Sequence, residues 1–182
     1  DDVASRLLLT DTYPSLLFPI KNGATTMWER WHGWTPDGGF GPVNMNSFNH
    51  YAFGAVGEYL YSGVGGIRAA SPGYRTIIVR PAIPTADWHE STKELNWANT
   101  SFKAMSGNIV SNWKLDGDRI SLHVEIPPNT TAEVHVPARS QGDVTEGGVA
   151  ADRASGVLFL RMENGAAVYA VGSGKYAFAG TR

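Results

Sequence analysis

Partway along the 182 residues the spacing of apolar side chains changes period, so no single regular architecture accommodates both halves. Up to about Ile67 the apolar residues recur at helical steps. From about Tyr74 they fall into short alternating runs separated by turn residues, the pattern of antiparallel strands. The change falls at 69–73. In the first half, Val3, Leu7 and Leu8 form a short amphipathic stripe that stops before Thr12 and Pro14, and residues 14–20 have room for a further turn or two. Ser47 is a suitable N-cap for a long helix carrying Tyr51, Ala55, Val56, Tyr59 and Leu60 on one face, ended by Gly63, Gly65 and Gly66. In the second half strands are expected at 75–80, 97–105, 108–114, 119–126, 132–136, 156–161, 166–171 and 175–179. Asp116-Gly117 and Asn164-Gly165 are the strongest hairpin signals, because glycine supplies the positive φ of a tight turn. Ile120, Leu122, Val124 and Ile126 alternate with Ser121, His123 and Glu125, which places one face of that strand in a core. The expected class is α+β, with helices first and an antiparallel β-sandwich after them.

Charge and composition remove several functions. Fifteen Lys and Arg against seventeen Asp and Glu leave a net charge of −2, so the chain has no basic footprint for nucleic acid or an anionic membrane. The absence of cysteine excludes disulfides, thiolate zinc sites and a cysteine nucleophile. His89, His123 and His135 are too widely spaced for a metal motif, and neither a metal nor another cofactor is expected. No apolar stretch approaches the roughly 20 residues that cross a bilayer. The first ten residues lack the pattern of a secretory signal and do not begin with Met, which leaves the compartment undetermined and makes Asp1 an unexpected native start.

The densest chemistry lies in a glycine-rich segment, 23–46, too long for an ordinary connection and therefore expected to be functional. Trp28, Glu29, Arg30, Trp31, His32 and Trp34 fall within seven residues. A pyranose presents a face of C–H groups that packs on an indole, while its hydroxyls need charged or amide partners. Core tryptophans and a Glu29 paired to a neighbouring cation account for the residue types equally well. Asn44, Asn46, Asn49 and His50, which follow, add neutral partners for sugar hydroxyls and favour a carbohydrate site. Trp88 and Trp97 flank a polar stretch and are expected to pack between the two halves.

The run Gly23 to Trp31 (GATTMWERW), the run Asn44 to Tyr61 (NMNSFNHYAFGAVGEYLY) and Pro72-Gly73-Tyr74-Arg75 resemble the C-terminal part of bacterial α-L-rhamnosidases. Trp113, Ile126 to Val134 and Gly172 to Phe178 resemble that family's terminal β-domain. The resemblance implies C-terminal helices of an (α/α)6 barrel over residues 1–70 and an antiparallel β-sandwich over 71–182. It implies hydrolysis of terminal α-L-rhamnosyl linkages with inversion, in which the carboxylate matching Glu29 is the general base that deprotonates the attacking water. Inverting hydrolysis also needs an acid about 6.5 to 9.5 Å from the base. The family's acid lies in an earlier barrel segment, and no carboxylate of this chain matches it. The resemblance further implies that His50 hydrogen-bonds sugar hydroxyls, and that of Trp28 and Trp31 one forms a sugar platform while the other packs behind Glu29. His32 stands where Asp or Asn is expected.

About twelve helices of roughly 11 residues would be needed for a complete six-hairpin barrel, several times what 1–70 can hold. The chain is therefore expected to be a fragment, inactive alone, whose partners are rhamnose-containing glycosides or polysaccharides and the missing N-terminal part of the barrel. Leu7, Leu16, Leu17 and Tyr51 are expected to form an apolar patch that drives self-association. The other expectation, from a different class, is a non-catalytic carbohydrate-binding or structural β-sandwich module.

Overall fold

The computed structural model describes residues 2–84 and 95–182; Trp88 and His89 lie outside the described residues. The chain divides into two compact units, one built on residues 2–59 and the other on 60–83 and 96–182.

The first unit holds little regular structure: helices α1 (Asp2–Leu9), α2 (Leu17–Lys21) and α3 (Val56–Tyr59), a small hairpin of β1 (Trp34–Thr35) and β2 (Gly39–Phe40), and 3-10 turns at Val43–Met45 and Tyr51–Ala55. Ser15, fully buried, accepts the Phe18 backbone N–H on its Oγ at 3.0 Å and so starts α2. Pro19 is tolerated because it stands in the first turn, where no intrahelical donor is needed. Val3 and Leu7 of the expected α1 stripe point to solvent, as does Tyr51, while Leu16 and Leu17 are half-buried.

The long helix expected from Ser47 does not form. The segment runs instead as the 3-10 turn Tyr51–Ala55, then α3, then a π-helical turn Leu60–Val64. Gly54 and Gly57 each cost a helix interior about 1 kcal/mol relative to alanine, and residues 51–55 are exposed, so no burial offsets that cost.

All eight expected strands are present in the second unit: β4 (Thr76–Val79), β5 (Trp97–Ala104), β6 (Gly107–Asp116), β7 (Arg119–Ile126), β8 (Thr131–Pro137), β11 (Val157–Glu163), β12 (Ala166–Val171) and β13 (Gly174–Thr181). Three short strands join them, β3 (Ile67–Ala69), β9 (Thr145–Glu146) and β10 (Val149–Ala150). They form a six-stranded sheet in the order β10-β9-β13-β7-β6-β5 and a five-stranded sheet in the order β11-β12-β8-β4-β3. The expected purely antiparallel pairing has one exception, since β4 runs parallel to β8. Both hairpin signals make two-residue turns. Gly117 (φ 58°) and Asp118 close β6 onto β7, and Asn164 (φ 47°) with Gly165 (φ 74°) closes β11 onto β12.

Ile120, Leu122, Val124 and Ile126 of β7 are all buried, as their alternation requires. Opposite them, Ile77 and Val79 of β4, Val134 and Val136 of β8, and Ala167 and Tyr169 of β12 are fully excluded from solvent. Tyr169 stacks on Phe178 of β13 with ring centroids 5.7 Å apart, joining the two sheets. Each such side chain contributes about 1.5–3 kcal/mol of burial, against at most about 1 kcal/mol for an exposed ion pair, so the sheet interior sets the stability of this unit. Trp113 of β6 is buried and donates its Nε1–H to the Val64 carbonyl at 2.8 Å, which ties the π-helical turn to the sheet. Gly66, at φ 72°, lies so close to the strand end that a Cβ there would sit 2.2 Å from the Arg80 carbonyl carbon, which no other residue tolerates. Trp97, at the start of β5, is 58% exposed.

His135 on β8 is nearly inaccessible, and its Nδ1 has no hydrogen-bond partner among the described residues. Beside it lie Arg80, Arg161, Glu133 and Glu163, with Arg161 bonded to Glu133 at 2.9 Å and to Glu163 at 2.7 Å. Burial, reinforced by the positive charge of Arg80, holds the imidazole below its usual range. Below about pH 6.5 the unfolded chain therefore binds a proton that the folded chain refuses, and stability falls as pH drops through that window. The Glu163 carboxyl, held low by its hydrogen bond from Arg161, acts in the same direction at still lower pH. We expect the melting temperature to fall by a few degrees between about pH 7.5 and about pH 5.5. In His135→Gln the same thermal-melt series should be flatter over that interval; an unchanged slope would remove His135 as its source.

Candidate functional site

With so few regular elements, the first unit satisfies its backbone polar groups by hydrogen bonds between two distant segments. The Glu29 N–H donates to the Ser47 carbonyl at 2.8 Å, and the Ser47 N–H donates to Glu29 Oε2 at 2.8 Å. The His50 N–H donates to the Met27 carbonyl at 2.7 Å, and Thr26 Oγ1 donates to the Phe48 carbonyl. Asn46 extends the lacing by donating its Nδ2 to the Gly33 carbonyl at 2.8 Å, and the Gly41 N–H donates to that same carbonyl at 2.8 Å. Gly33 is required at this crossing, because a Cβ would stand 2.6 Å from Asn46 Oδ1. The two sequence runs singled out above, 23–31 and 44–61, are thus held side by side.

Trp28 is buried, with its ring edge-on to Phe48 at 5.0 Å, and Phe48 in turn meets Phe40 at 5.5 Å. Trp28 and Phe48 make the small apolar floor of the unit, while Phe40 is largely exposed. Glu29 and Trp31, the neighbours of Trp28 in the same run, open instead into a cleft of about 380 Å³ lined by Tyr13, Pro14, Glu29, Arg30, Trp31, His32 and Phe53. Glu29 is the one carboxylate among those lining residues, and the Ser47 amide fixes one of its oxygens, Oε2. Trp31 is half-exposed, so its indole is accessible as a platform.

His50 does not line this cleft directly. Its ring lies 5.7 Å from that of Phe53, which does line it, and is nearly parallel to Tyr51 at 6.4 Å. His50 Nδ1 is shielded from solvent and has no hydrogen-bond partner among the described residues, so it is a polar atom in want of one. The lining also includes Tyr13, whose hydroxyl lies 3.4 Å from His32 Nδ1 and whose ring meets His32 and Phe18 edge-on. Tyr13 and Phe53 were not singled out from the sequence: an isolated tyrosine before a proline and a phenylalanine in an apolar run carry no local signal of a cleft. No cluster of histidine and carboxylate side chains suited to a metal ion occurs among the described residues.

Comparison with known proteins gives this geometry a context. Residues 1–64 match the family model of the bacterial alpha-L-rhamnosidase 6 hairpin glycosidase domain, and residues 66–151 match that of the bacterial alpha-L-rhamnosidase C-terminal domain. An alpha-L-rhamnosidase of Streptomyces avermitilis is 41% identical over 97% of this chain, which spans 16% of that protein. One from Formosa agariphila is 40% identical over 75% of this chain, covering 14% of its own length. Among solved structures, that of the Streptomyces avermitilis alpha-L-rhamnosidase complexed with L-rhamnose superposes with a TM-score of 0.82 at 40% identity, over 98% of this chain and 16% of that one. The alpha-L-rhamnosidase from Dictyoglumus thermophilum superposes with a TM-score of 0.79 at 32% identity, over 100% of this chain and 19% of that one. On both its helical and its β-sheet segments, therefore, the chain belongs to the bacterial α-L-rhamnosidase family.

Proposed function

We propose that this chain carries the general base and part of the rhamnose subsite of an α-L-rhamnosidase that acts with inversion on terminal α-L-rhamnosyl groups of glycosides or polysaccharides. The observation that carries the reading is the Glu29 carboxylate, held at one oxygen by the Ser47 amide, on the wall of an aromatic cleft. A water placed against its other oxygen would lose a proton to Glu29 as it attacks the anomeric carbon from the face opposite the leaving group. Trp31 would pack against the sugar's C–H face, and His50, whose ring stands beside the cleft residue Phe53, would help to hold the sugar's hydroxyls. Trp28, buried against Phe48, would support the run that carries Glu29 rather than touch the sugar.

An inverting displacement needs a second carboxyl group to protonate the leaving oxygen, and the lining residues of the cleft include one carboxylate. The 182 residues alone are therefore proposed to be inactive, with the acid supplied by another part of the barrel. Val3, Leu7 and Tyr51, apolar and exposed, are a surface such a part could cover, and one through which the chain could self-associate.

Two measurements test this reading. In the complete enzyme Glu29→Gln should lower kcat by about 10² to 10⁴ with little change in KM, because the amide keeps the shape and loses the proton acceptor. Near-normal turnover would remove Glu29 from the reaction, and a raised KM with unchanged kcat would make it a binding residue. In the 182-residue chain, L-rhamnose should bind with a dissociation constant no better than about 1 mM, since part of the subsite is absent. The Trp31 indole N–H should shift in an NMR titration, and a spectrum unmoved at high sugar concentration would leave a purely structural module.

A further inference from the structure

The second unit carries a separate trough, of about 600 Å³, on the outward face of β5, β6 and β7. Strand register builds it in two rows. Asn99, Asn112 and His123 are paired across the three strands, and in the next row Trp97, Lys114 and Ser121 are paired in the same way. All six line the trough, and Trp97 is 58% exposed within it. A sheet face needed only for solubility carries dispersed charges; this one presents a flat indole beside two carboxamides, a hydroxyl and an imidazole, the mixture that an amphipathic ring demands. Asn112 is already oriented, because the Thr100 backbone N–H donates to its Oδ1 at 3.0 Å, which leaves Nδ2 as the group available to donate. Lys114 makes no ion pair among the described residues, and none of the seven residues lining the trough, Trp113 being the seventh, is a carboxylate. The trough is therefore complementary to a sugar that carries negative charge.

From these features we infer that the outer face of β5, β6 and β7 is a second carbohydrate-binding site, specific for a polysaccharide bearing uronate groups. Trp97 packs on the apolar face of one pyranose, Lys114 meets its carboxylate, and Asn99, Asn112 and His123 take hydroxyls along the chain. The site uses residues of the second unit alone and stands independently of the cleft at Glu29.

Affinity electrophoresis of the 182-residue chain in gels containing polygalacturonate tests it, with methyl-esterified polygalacturonate and dextran as the comparison polymers. The chain should be retarded by the acidic polymer, less by the ester and not by dextran. Trp97→Ala should weaken the retardation about tenfold and Lys114→Gln about twofold to fivefold, both with unchanged circular dichroism, because these side chains are exposed. Absence of retardation, or equal retardation of Trp97→Ala and the parent chain, would overturn the site. Equal retardation by the acid and its ester would overturn its specificity for uronate.

Discussion

Everything in the first unit hangs on the hydrogen bonds that lace residues 26–33 to residues 41–50. A segment with three short helices, a hairpin of two-residue strands and several turns cannot pair its backbone groups within elements, so it pairs them between segments instead. The reciprocal bonds of Glu29 and Ser47 are the centre of that lacing. The Glu29 amide closes the backbone pairing onto the Ser47 carbonyl, and the Ser47 amide in return grips the Glu29 carboxylate. Loss of the register between these runs would displace the floor rings Trp28 and Phe48 together with Glu29, and the cleft would have no fixed wall.

The second unit rests on a different constraint. Its two sheets share an apolar interior in which β7, β8 and β12 contribute fully buried aliphatic side chains and the Tyr169–Phe178 stack joins the layers. That interior tolerates little at its margins, as Gly66 and the Trp113 bond to Val64 show. On its outer surfaces the sheets are free to vary, and there the charged cover over His135 and the Trp97 trough are found.

The strands were legible because alternation and turn chemistry are local signals: both tight hairpins fall where Gly117 and Asn164-Gly165 call for them. The parallel pairing of β4 with β8 was not, since a four-residue strand says nothing about the direction of a partner some fifty residues on. The helix expected from Ser47 does not form because a periodic apolar stripe holds a helix only where something buries it, and Tyr51 is 90% exposed. In the cleft, Glu29 and Trp31 were legible from their motif, and both are among the residues that line it. Tyr13 and Phe53 come from segments whose approach depends on the tertiary lacing. The division of labour between Trp28 and Trp31 was also beyond the sequence, because adjacent tryptophans look alike until one of them is covered.

The central claim is that Glu29 activates the attacking water. In the complete enzyme, Glu29→Ala with an aryl α-L-rhamnoside and added azide isolates that role, because azide needs no deprotonation and fits the space left by the carboxylate. Azide would form its bond to the anomeric carbon as the aryl oxygen departs. The account predicts restored turnover and a β-L-rhamnosyl azide product, of configuration inverted from the substrate. An alanine variant that stays inactive in azide, or that turns over as fast as the parent without it, would contradict the assignment.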